Sequence, residues 1–206
     1  MTKAASPHKN LRRIDLSLVD REITNKQRQH GLRVNFATVP PLSRVFYNGY
    51  THFHGPLHLI DFLTPSSVAV PLSATGKDAL LNELVALAAP DSPWRDVVLE
   101  EVRAREAVFP TALGDGIAMP HVRSAHVTHV QMSAGVLSTP IPFGPSAGHA
   151  SDLFLLLLSP ANAPSEHLNV LRALSQMLAQ PTTVSALRRA TSVAEFLATV
   201  RAMPSF

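Results

Sequence analysis

The chain of 206 residues contains no cysteine and no long apolar run. Without cysteine it can form no disulfide and offers no thiolate. Its most uniformly apolar stretch, 153–158, is far shorter than the ~20 residues that a membrane-spanning helix needs. The first residues are polar and include no apolar core segment, so a secretory signal is not predicted. A glycine-rich phosphate-binding loop of the Walker type is also absent. These absences predict a cytoplasmic protein with no membrane span.

Basic residues are concentrated in the first quarter of the chain. Residues 1–50 contain nine Lys or Arg and three Asp or Glu, whereas residues 51–206 contain nine and twelve. Residues 1–55 show no sustained apolar period and mix Asn, Gln, His and Arg, so we expect a poorly ordered basic extension. Three interpretations of it stay open: contact with nucleic acid or an anionic surface, a docking arm for a partner, and an upstream segment included by a wrongly assigned start.

Residues 56–206 show clear helical and strand periods, so we predict one folded domain there. An apolar strand at 152–159 must be covered on both faces, because a strand with one face in water alternates apolar and polar residues. Strands covered by helices on both faces predict the α/β class with three layers. The predicted elements are a helical turn at 59–63, an edge strand at 67–72, helices at 77–88 and 93–106, strands at 130–137 and 152–159 with a loop at 140–144 between them, and helices at 167–178, 184–189 and 193–200.

The segment 114–123, Gly-Asp-Gly-Ile-Ala-Met-Pro-His-Val-Arg, presents one histidine at the end of a short apolar strand. Its glycines permit a tight bend, and Pro120 fixes its own φ while keeping Met119 extended, so the backbone that carries His121 is stiff. A histidine is mostly uncharged at neutral pH and has a lone pair, so His121 could act as a nucleophile, a base or a metal ligand. The spacing also fits an ordinary loop histidine and does not choose among these.

A metal site is a rival interpretation, because His121, His126 and His129 fall within nine residues. A zinc hydrolase needs several ligands that converge on one ion. This spacing matches no helical His-Glu-x-x-His pattern, and 128–130 has the character of a strand start, where side chains alternate in direction. We therefore predict no metal and no cofactor. A second group is predicted to be a loop without function and comprises His52, His54 and His58.

Several features occur in a fixed order around this segment. Arg105-Glu106 ends a predicted helix, Thr111 follows, the Gly-x-Gly-Ile-Ala-x-Pro-His strand comes next, and Glu166-His167-Leu168 lies at a helix start. In this order they resemble the IIA domain, of the fructose/mannitol type and its nitrogen-regulatory branch, of the bacterial phosphoenolpyruvate-dependent sugar phosphotransferase system. The resemblance implies a mixed sheet of about five strands and a role in phosphoryl transfer.

The resemblance also implies the site. It identifies His121 as the phosphorylated residue, places His167 beside it and assigns Arg105 to the same pocket. A phosphoryl carrier needs a neutral nitrogen nucleophile, with positive charge and hydrogen-bond donors around a dianionic group, and these side chains supply them. Arg123 is a second candidate for charge near the site.

The partners follow from the same resemblance. The donor would be the phosphocarrier protein HPr or a paralogue, and the acceptor would be a cysteine of a IIB component. Because this chain has no cysteine, that acceptor is expected on a separate chain. The domain itself is not expected to bind sugar, which the membrane component carries. The alternative is a regulatory module, not coupled to sugar uptake, that binds other proteins according to its phosphorylation state.

Overall fold

The computed structural model describes residues 45–47, 50–52, 56–144 and 149–206. Two short strands, β1 (Val45–Tyr47) and β2 (Tyr50–His52), pair antiparallel. The other residues of the basic extension lie outside the described part, so the expectation that residues 1–55 are poorly ordered stays a prediction.

From residue 56 onward, helices and strands alternate in an α/β fold, as predicted. The elements are 3-10 turns at Leu59–Phe62 and Pro65–Ser67, β3 (Val68–Leu72), α1 (Lys77–Ala88), α2 (Arg95–Val108), β4 (Ala112–Gly114), β5 (Ile117–Ala118), β6 (His121–Ser124), β7 (Gln131–Pro142), β8 (Ala150–Pro160), α3 (Pro164–Leu178), α4 (Pro181–Arg189) and α5 (Val193–Arg201). Within the described residues, no helix is long and apolar enough to cross a membrane.

The main sheet has six strands in the described part of the chain, in the order β3-β7-β8-β5-β4, with β6 also paired to β8. It is mixed: β7 and β8 are antiparallel, whereas β5 and β6 both run parallel to β8. The predicted number was about five. The extra strand arises because the segment 117–124 is divided at Met119 and Pro120 into two short strands, which pair in one continuous register with successive stretches of the same edge of β8.

The central strand β8 separates two apolar cores. Its side chains alternate, because successive residues of a strand point to opposite faces. Leu153, Leu155 and Leu157 belong to the core with α3, α4 and α5, whereas Phe154, Leu156 and Leu158 belong to the core with α1 and α2. All six are fully buried, and each buried side chain of this kind contributes roughly 1.5–3 kcal/mol. The prediction that this strand is covered on both faces is therefore confirmed, and β8 is a rigid base for its neighbours.

The loop predicted at 140–144 is wrong over its first three residues. Strand β7 continues to Pro142, with Ile141 opposite Ser151 and Pro142 opposite Ala150. Proline has no N–H for a sheet ladder, which is why the sequence favours a loop. Here β3 has already ended opposite Leu137, so this part of β7 has only β8 as a partner and proline is tolerated at such an edge.

Candidate functional site

His121 is the first residue of β6 and lies opposite Leu157 of β8. Met119, two residues before His121, is anchored because its N–H donates to the Thr111 carbonyl at 3.1 Å. His121 is 7% exposed. Its Nδ1 lies 2.9 Å from the Met119 carbonyl oxygen, and its Nε2 lies 3.1 Å from Nη2 of Arg105. Both ring nitrogens of His121 therefore have hydrogen-bond partners within the protein.

These two contacts determine where the proton of neutral His121 lies. A carbonyl oxygen can only accept, so Nδ1 must carry the hydrogen that it donates to Met119. A guanidinium has no acceptor, so Nε2 must accept from Arg105. The neutral ring thus keeps its lone pair on Nε2, facing a positive charge.

Arg105 occupies the last turn of α2, and its guanidinium is held from a second side. Nη1 donates to the carbonyl of Phe109 at 2.7 Å. The guanidinium carbon lies 5.6 Å from the centroid of the Phe109 ring, within the range of a cation–π contact. The positive charge is therefore positioned beside Nε2 of His121 and at the edge of the protein surface.

His167 lies in the first turn of α3 and is 1% exposed. Its ring centroid is 5.6 Å from that of His121, with the two planes tilted by 54°. Its Nδ1 lies 2.7 Å from Oγ of Ser159 on β8. The hydroxyl of Ser159 also lies 3.4 Å from the Val122 carbonyl. Ser159 thus fixes the rotation of the His167 ring, a role that the sequence analysis missed.

The three residues that the resemblance assigns to one pocket meet in the structure. Arg105 comes from α2, His121 from β6 and His167 from α3. The layer of α2 lies on one face of β8 and that of α3 on the other, so the site forms where the two layers meet at this end of β8. Arg123 is partly exposed, and strand alternation places it on the same face of β6 as His121.

A buried carboxylate stabilises the backbone next to His121. Glu106 is 1% exposed, accepts hydrogen bonds from the Thr111 N–H at 3.0 Å and hydroxyl at 2.5 Å, and pairs with Nζ of Lys77 at 3.0 Å. A buried carboxylate without such partners is strongly destabilising. Because Thr111 in turn anchors Met119, this network connects Lys77 to the residue that accepts from His121.

No role for Glu106 follows from the motif order alone. A usable signal was nevertheless present: Val98, Val102 and Glu106 recur every four residues, so Glu106 continues the buried stripe of α2. A charged residue at a core position requires a partner.

The glycine turn of the same segment lies away from this pocket. Gly114, Asp115 and Gly116 all have positive φ values of 98°, 48° and 75°. Arg188 of α4 donates to Oδ1 of Asp152 at 2.8 Å and also to the carbonyl of Asp115. Ile117 lies opposite Leu153 and His121 opposite Leu157. This spacing of four residues along β8 corresponds to roughly 13 Å.

Two histidines that are close to His121 in the sequence lie outside the pocket. His126 and His129 are exposed, and the ring of His129 contacts Thr128 at 3.1 Å and Gln131 at 3.2 Å. Among the residues that the structure describes, no three His, Asp or Glu side chains are grouped so that they could hold a metal ion. The prediction for His52, His54 and His58 stays untested, because His54 and the side chain of His52 lie outside the described residues.

The family described as "Phosphoenolpyruvate-dependent sugar phosphotransferase system, EIIA 2" matches residues 61–203. A nitrogen regulatory protein of Bradyrhizobium diazoefficiens is 30% identical over 147 residues, which cover 71% of this chain and 95% of that protein. One from Pseudomonas aeruginosa is 32% identical over 124 residues, which cover 59% and 80%. The 2-O-alpha-mannosyl-D-glycerate-specific EIIABC component of Escherichia coli is 37% identical over 121 residues, but the match spans only 18% of its length.

Solved structures of similar proteins share this fold. The nitrogen regulatory protein IIA-Ntr of Neisseria meningitidis superposes with a TM-score of 0.64 and 29% identity, covering 69% of this chain and 98% of that one. The mannitol IIA of Escherichia coli superposes with a TM-score of 0.59, covering 67% and 98%, and at 20% identity it shows a shared fold.

Proposed function

The chain belongs to the EIIA 2 family of the phosphoenolpyruvate-dependent sugar phosphotransferase system, and we propose that it is a phosphohistidine carrier that acts in the cytoplasm. In this proposal His121 accepts a phosphoryl group from phospho-HPr and passes it to a cysteine of a IIB component on another chain. The observation that carries it is the state of His121: its Nε2 faces Arg105 at 3.1 Å, and its Nδ1 is tied to Met119.

The first transfer forms a bond between Nε2 of His121 and phosphorus. The Nε2 lone pair attacks, the N–P bond of the donor's phosphoimidazolium breaks, and its electron pair returns to the donor nitrogen, which leaves as neutral imidazole. His121 becomes the phosphoimidazolium and keeps its Nδ1–H on the Met119 carbonyl, so charge and protons balance. Because the Met119 carbonyl already fixes the ring through Nδ1, the ring needs little reorientation, and the Arg105 N–H leaves the Nε2 lone pair as that lone pair attacks.

The second transfer returns His121 to its starting state. A thiolate of the acceptor attacks phosphorus, the Nε2–P bond breaks, and the electron pair remains on Nε2 with the proton still on Nδ1. The product on the acceptor is a phosphocysteine. A mannitol IIA of Escherichia coli, similar in fold, has been solved in complex with its phosphorylated IIB, which supports an acceptor of this type.

Positive charge around the transferred group supports the chemistry. The guanidinium of Arg105 is beside the attacking atom, and the ring of His167 lies 5.6 Å from that of His121. Positioned donors of this kind stabilise the charge of a phosphoryl group in the transition state of its transfer. The nearby carboxylate of Glu106 is compensated by Lys77, so it does not oppose a dianion with an unpaired negative charge.

A regulatory role is the second candidate. Two of the relatives described above are named nitrogen regulatory proteins, and the match covers 80% and 95% of their lengths. In this alternative His121 is phosphorylated in the same way, but phosphorylation controls binding to another protein. The two roles differ in whether the label moves on to a IIB cysteine.

Phosphorylation with enzyme I, HPr and radiolabelled phosphoenolpyruvate tests the proposal. The wild type should take an acid-labile label, His121→Ala should take none, and His167→Ala should be labelled more slowly. His126→Ala is the matched control, since His126 is exposed and lies five residues away, and it should behave as the wild type. Full labelling of His121→Ala would contradict the proposal. Addition of a purified IIB then separates the roles: release of the label to IIB supports the carrier, and retention supports the regulator.

A further inference from the structure

A buried hydrogen bond joins the central strand to the second histidine of the site. Ser159 of β8 and His167 of α3 are 0% and 1% exposed, and the Ser159 hydroxyl lies 2.7 Å from Nδ1 of His167. Ser159 directly follows the apolar run of β8, so it is a polar group at a core position. A buried hydroxyl needs a hydrogen-bond partner, and the imidazole of His167 supplies one.

The distances determine which group donates in this bond when the ring is neutral. The Ser159 hydroxyl has one hydrogen and, in the described part of the chain, two neighbouring acceptors: Nδ1 of His167 at 2.7 Å and the Val122 carbonyl at 3.4 Å. A hydroxyl donates at about 2.5–3.0 Å. If Nδ1 carried the hydrogen and donated to Ser159, the hydroxyl would keep only the long contact for its own hydrogen. The hydroxyl therefore donates to Nδ1, and the hydrogen of the neutral imidazole lies on Nε2.

The two histidines of the site thus have opposite tautomers. Nδ1 of His121 contacts the Met119 carbonyl, which can only accept, so the lone pair of that ring lies on Nε2. Nδ1 of His167 contacts a hydroxyl that donates, so Nε2 of that ring carries a hydrogen. The partner of Nδ1 makes the first ring a nucleophile and the second ring a hydrogen-bond donor.

We propose that Ser159 is a positioning residue for phosphoryl transfer, which fixes the tautomer of His167 so that its Nε2–H donates to the phosphoryl group carried by His121. This inference rests on the proposed function. The centroids of the two rings are 5.6 Å apart, so a phosphoryl group bonded to one ring is close to the other. With the hydrogen on Nδ1, Nε2 of His167 would present a lone pair, which cannot donate to a phosphoryl oxygen.

The tautomer of His167 can be measured without phosphorylation. In the full chain labelled with ¹⁵N-histidine, long-range ¹H–¹⁵N NMR at a pH of about 8, where histidines are mostly neutral, shows which nitrogen of each ring carries hydrogen. His167→Gln identifies the signals of His167 by their loss. We expect hydrogen on Nε2 of His167 in the wild type and a mixture of both tautomers in Ser159→Ala. Hydrogen on Nδ1 of His167 in the wild type would overturn the inference, whether or not any variant folds.

The rate of labelling by phospho-HPr tests the consequence for transfer. Ser159→Ala should be labelled about tenfold more slowly, by analogy with groups that orient metal-bound histidines, whose removal costs about 10–100-fold. Ser133→Ala is the matched control, because Ser133 of β7 is also 0% exposed and its hydroxyl donates to the Leu84 carbonyl at 2.7 Å. Its rate and the tautomer of His167 should equal those of the wild type. An equal loss of rate in Ser133→Ala would overturn the inference.

A double variant separates an effect through His167 from a general effect of the substitution. His167→Ala is already expected to be labelled slowly, and adding Ser159→Ala should slow it no further if the serine acts through that ring. A further tenfold loss in the double variant would overturn the inference, as would a Ser159→Ala protein with the wild-type rate or the wild-type tautomer. These outcomes leave the carrier function standing, whereas a wild type that takes no label from phospho-HPr would overturn the proposed function itself.

Discussion

The segment 114–123 has two ends that the chain holds in different ways. At the glycine end, Arg188 pairs with the carboxylate of Asp152 and binds the backbone of the turn. At the histidine end, Arg105 faces the lone pair of an imidazole and a backbone carbonyl. Arg188 pairs with a carboxylate, whereas these two bonds of Arg105 are to the His121 ring and to the Phe109 carbonyl.

Under the proposed function, this difference assigns a structural role to Arg188 and a role in phosphoryl transfer to Arg105. A guanidinium that donates to a carboxylate oxygen from two of its nitrogens, as Arg188 does to Oδ1 of Asp152, is a strong structural clamp. A guanidinium beside the attacking nitrogen can bind an incoming anion, and its position is already determined before the anion arrives. The partner of each side chain, and not its residue type, therefore separates the two ends of the segment.

Exchanging each arginine for glutamine should separate these roles. Arg105→Gln should reduce the rate of phosphoryl transfer by about 10²–10³, the loss typical of removing one preorganised donor, with little effect on unfolding. Arg188→Gln should preserve the transfer rate and lower the free energy of unfolding by roughly 1–2 kcal/mol, since its ion pair is partly buried. Labelling kinetics and urea denaturation measure the two quantities. Equal losses of rate in both variants would contradict the comparison.

Glu106→Gln tests whether the negative charge of Glu106 is what stabilises its network with Lys77 and Thr111. Glutamine removes the ion pair with Lys77 and presents an amide N–H₂ to the donors of Thr111. We expect a loss of about 2–4 kcal/mol in the free energy of unfolding, because one partner of a buried pair is removed while the other is one-third exposed. Urea denaturation measures it.

Glu83→Gln is the matched control for that variant. Glu83, a partly exposed residue in the middle of α1, also accepts from backbone N–H groups, those of Ser73 and Ala74 before the helix. Its substitution should cost less than about 1 kcal/mol. If the two variants lose the same free energy of unfolding, burial of the Glu106 carboxylate does not determine how much the network contributes to stability.

Alanine substitutions in the turn should give smaller, graded effects. A Cβ at Gly116 would lie 2.6 Å from Nη2 of Arg188 and 2.9 Å from Oδ1 of Asp152, at a φ of +75°. Gly114 has a φ of +98° with nothing within 4 Å of such a Cβ. We expect a loss of about 2–3 kcal/mol for Gly116→Ala and about 1 kcal/mol for Gly114→Ala, where backbone strain acts alone. Thermal or urea unfolding measures both, and a larger loss for Gly114→Ala would contradict the clash.

Elements with a strong local period were predictable. The helix expected at 77–88 is α1 with the same bounds, because its apolar residues recur at helical spacing and bury one stripe. The strand expected at 152–159 is β8, extended by two residues at its start and one at its end. Both predictions rest on burial patterns that a short window of sequence contains.

Contacts between distant residues were not predictable. Lys77 and Glu106 are 29 positions apart in the chain, and Asp152 and Arg188 are 36 apart. No local pattern relates such pairs, because each residue is an ordinary surface or helix residue in its own window. The extension of β7 to Pro142 has the same origin, since it depends on pairing with Ala150 and on where β3 ends.

The sequence by itself determined the α/β class, the two-sided burial of β8 and a stiff segment that carries His121. Those conclusions follow from periodicity and from the restricted backbone of glycine and proline. Only the tertiary structure decided which nitrogen of His121 carries the lone pair and which arginine faces it. The reason is physical: a side chain's chemistry depends on the donors, acceptors and charges within a few ångströms, and here these come from α2, β6 and α3, which meet only when the two layers pack on β8.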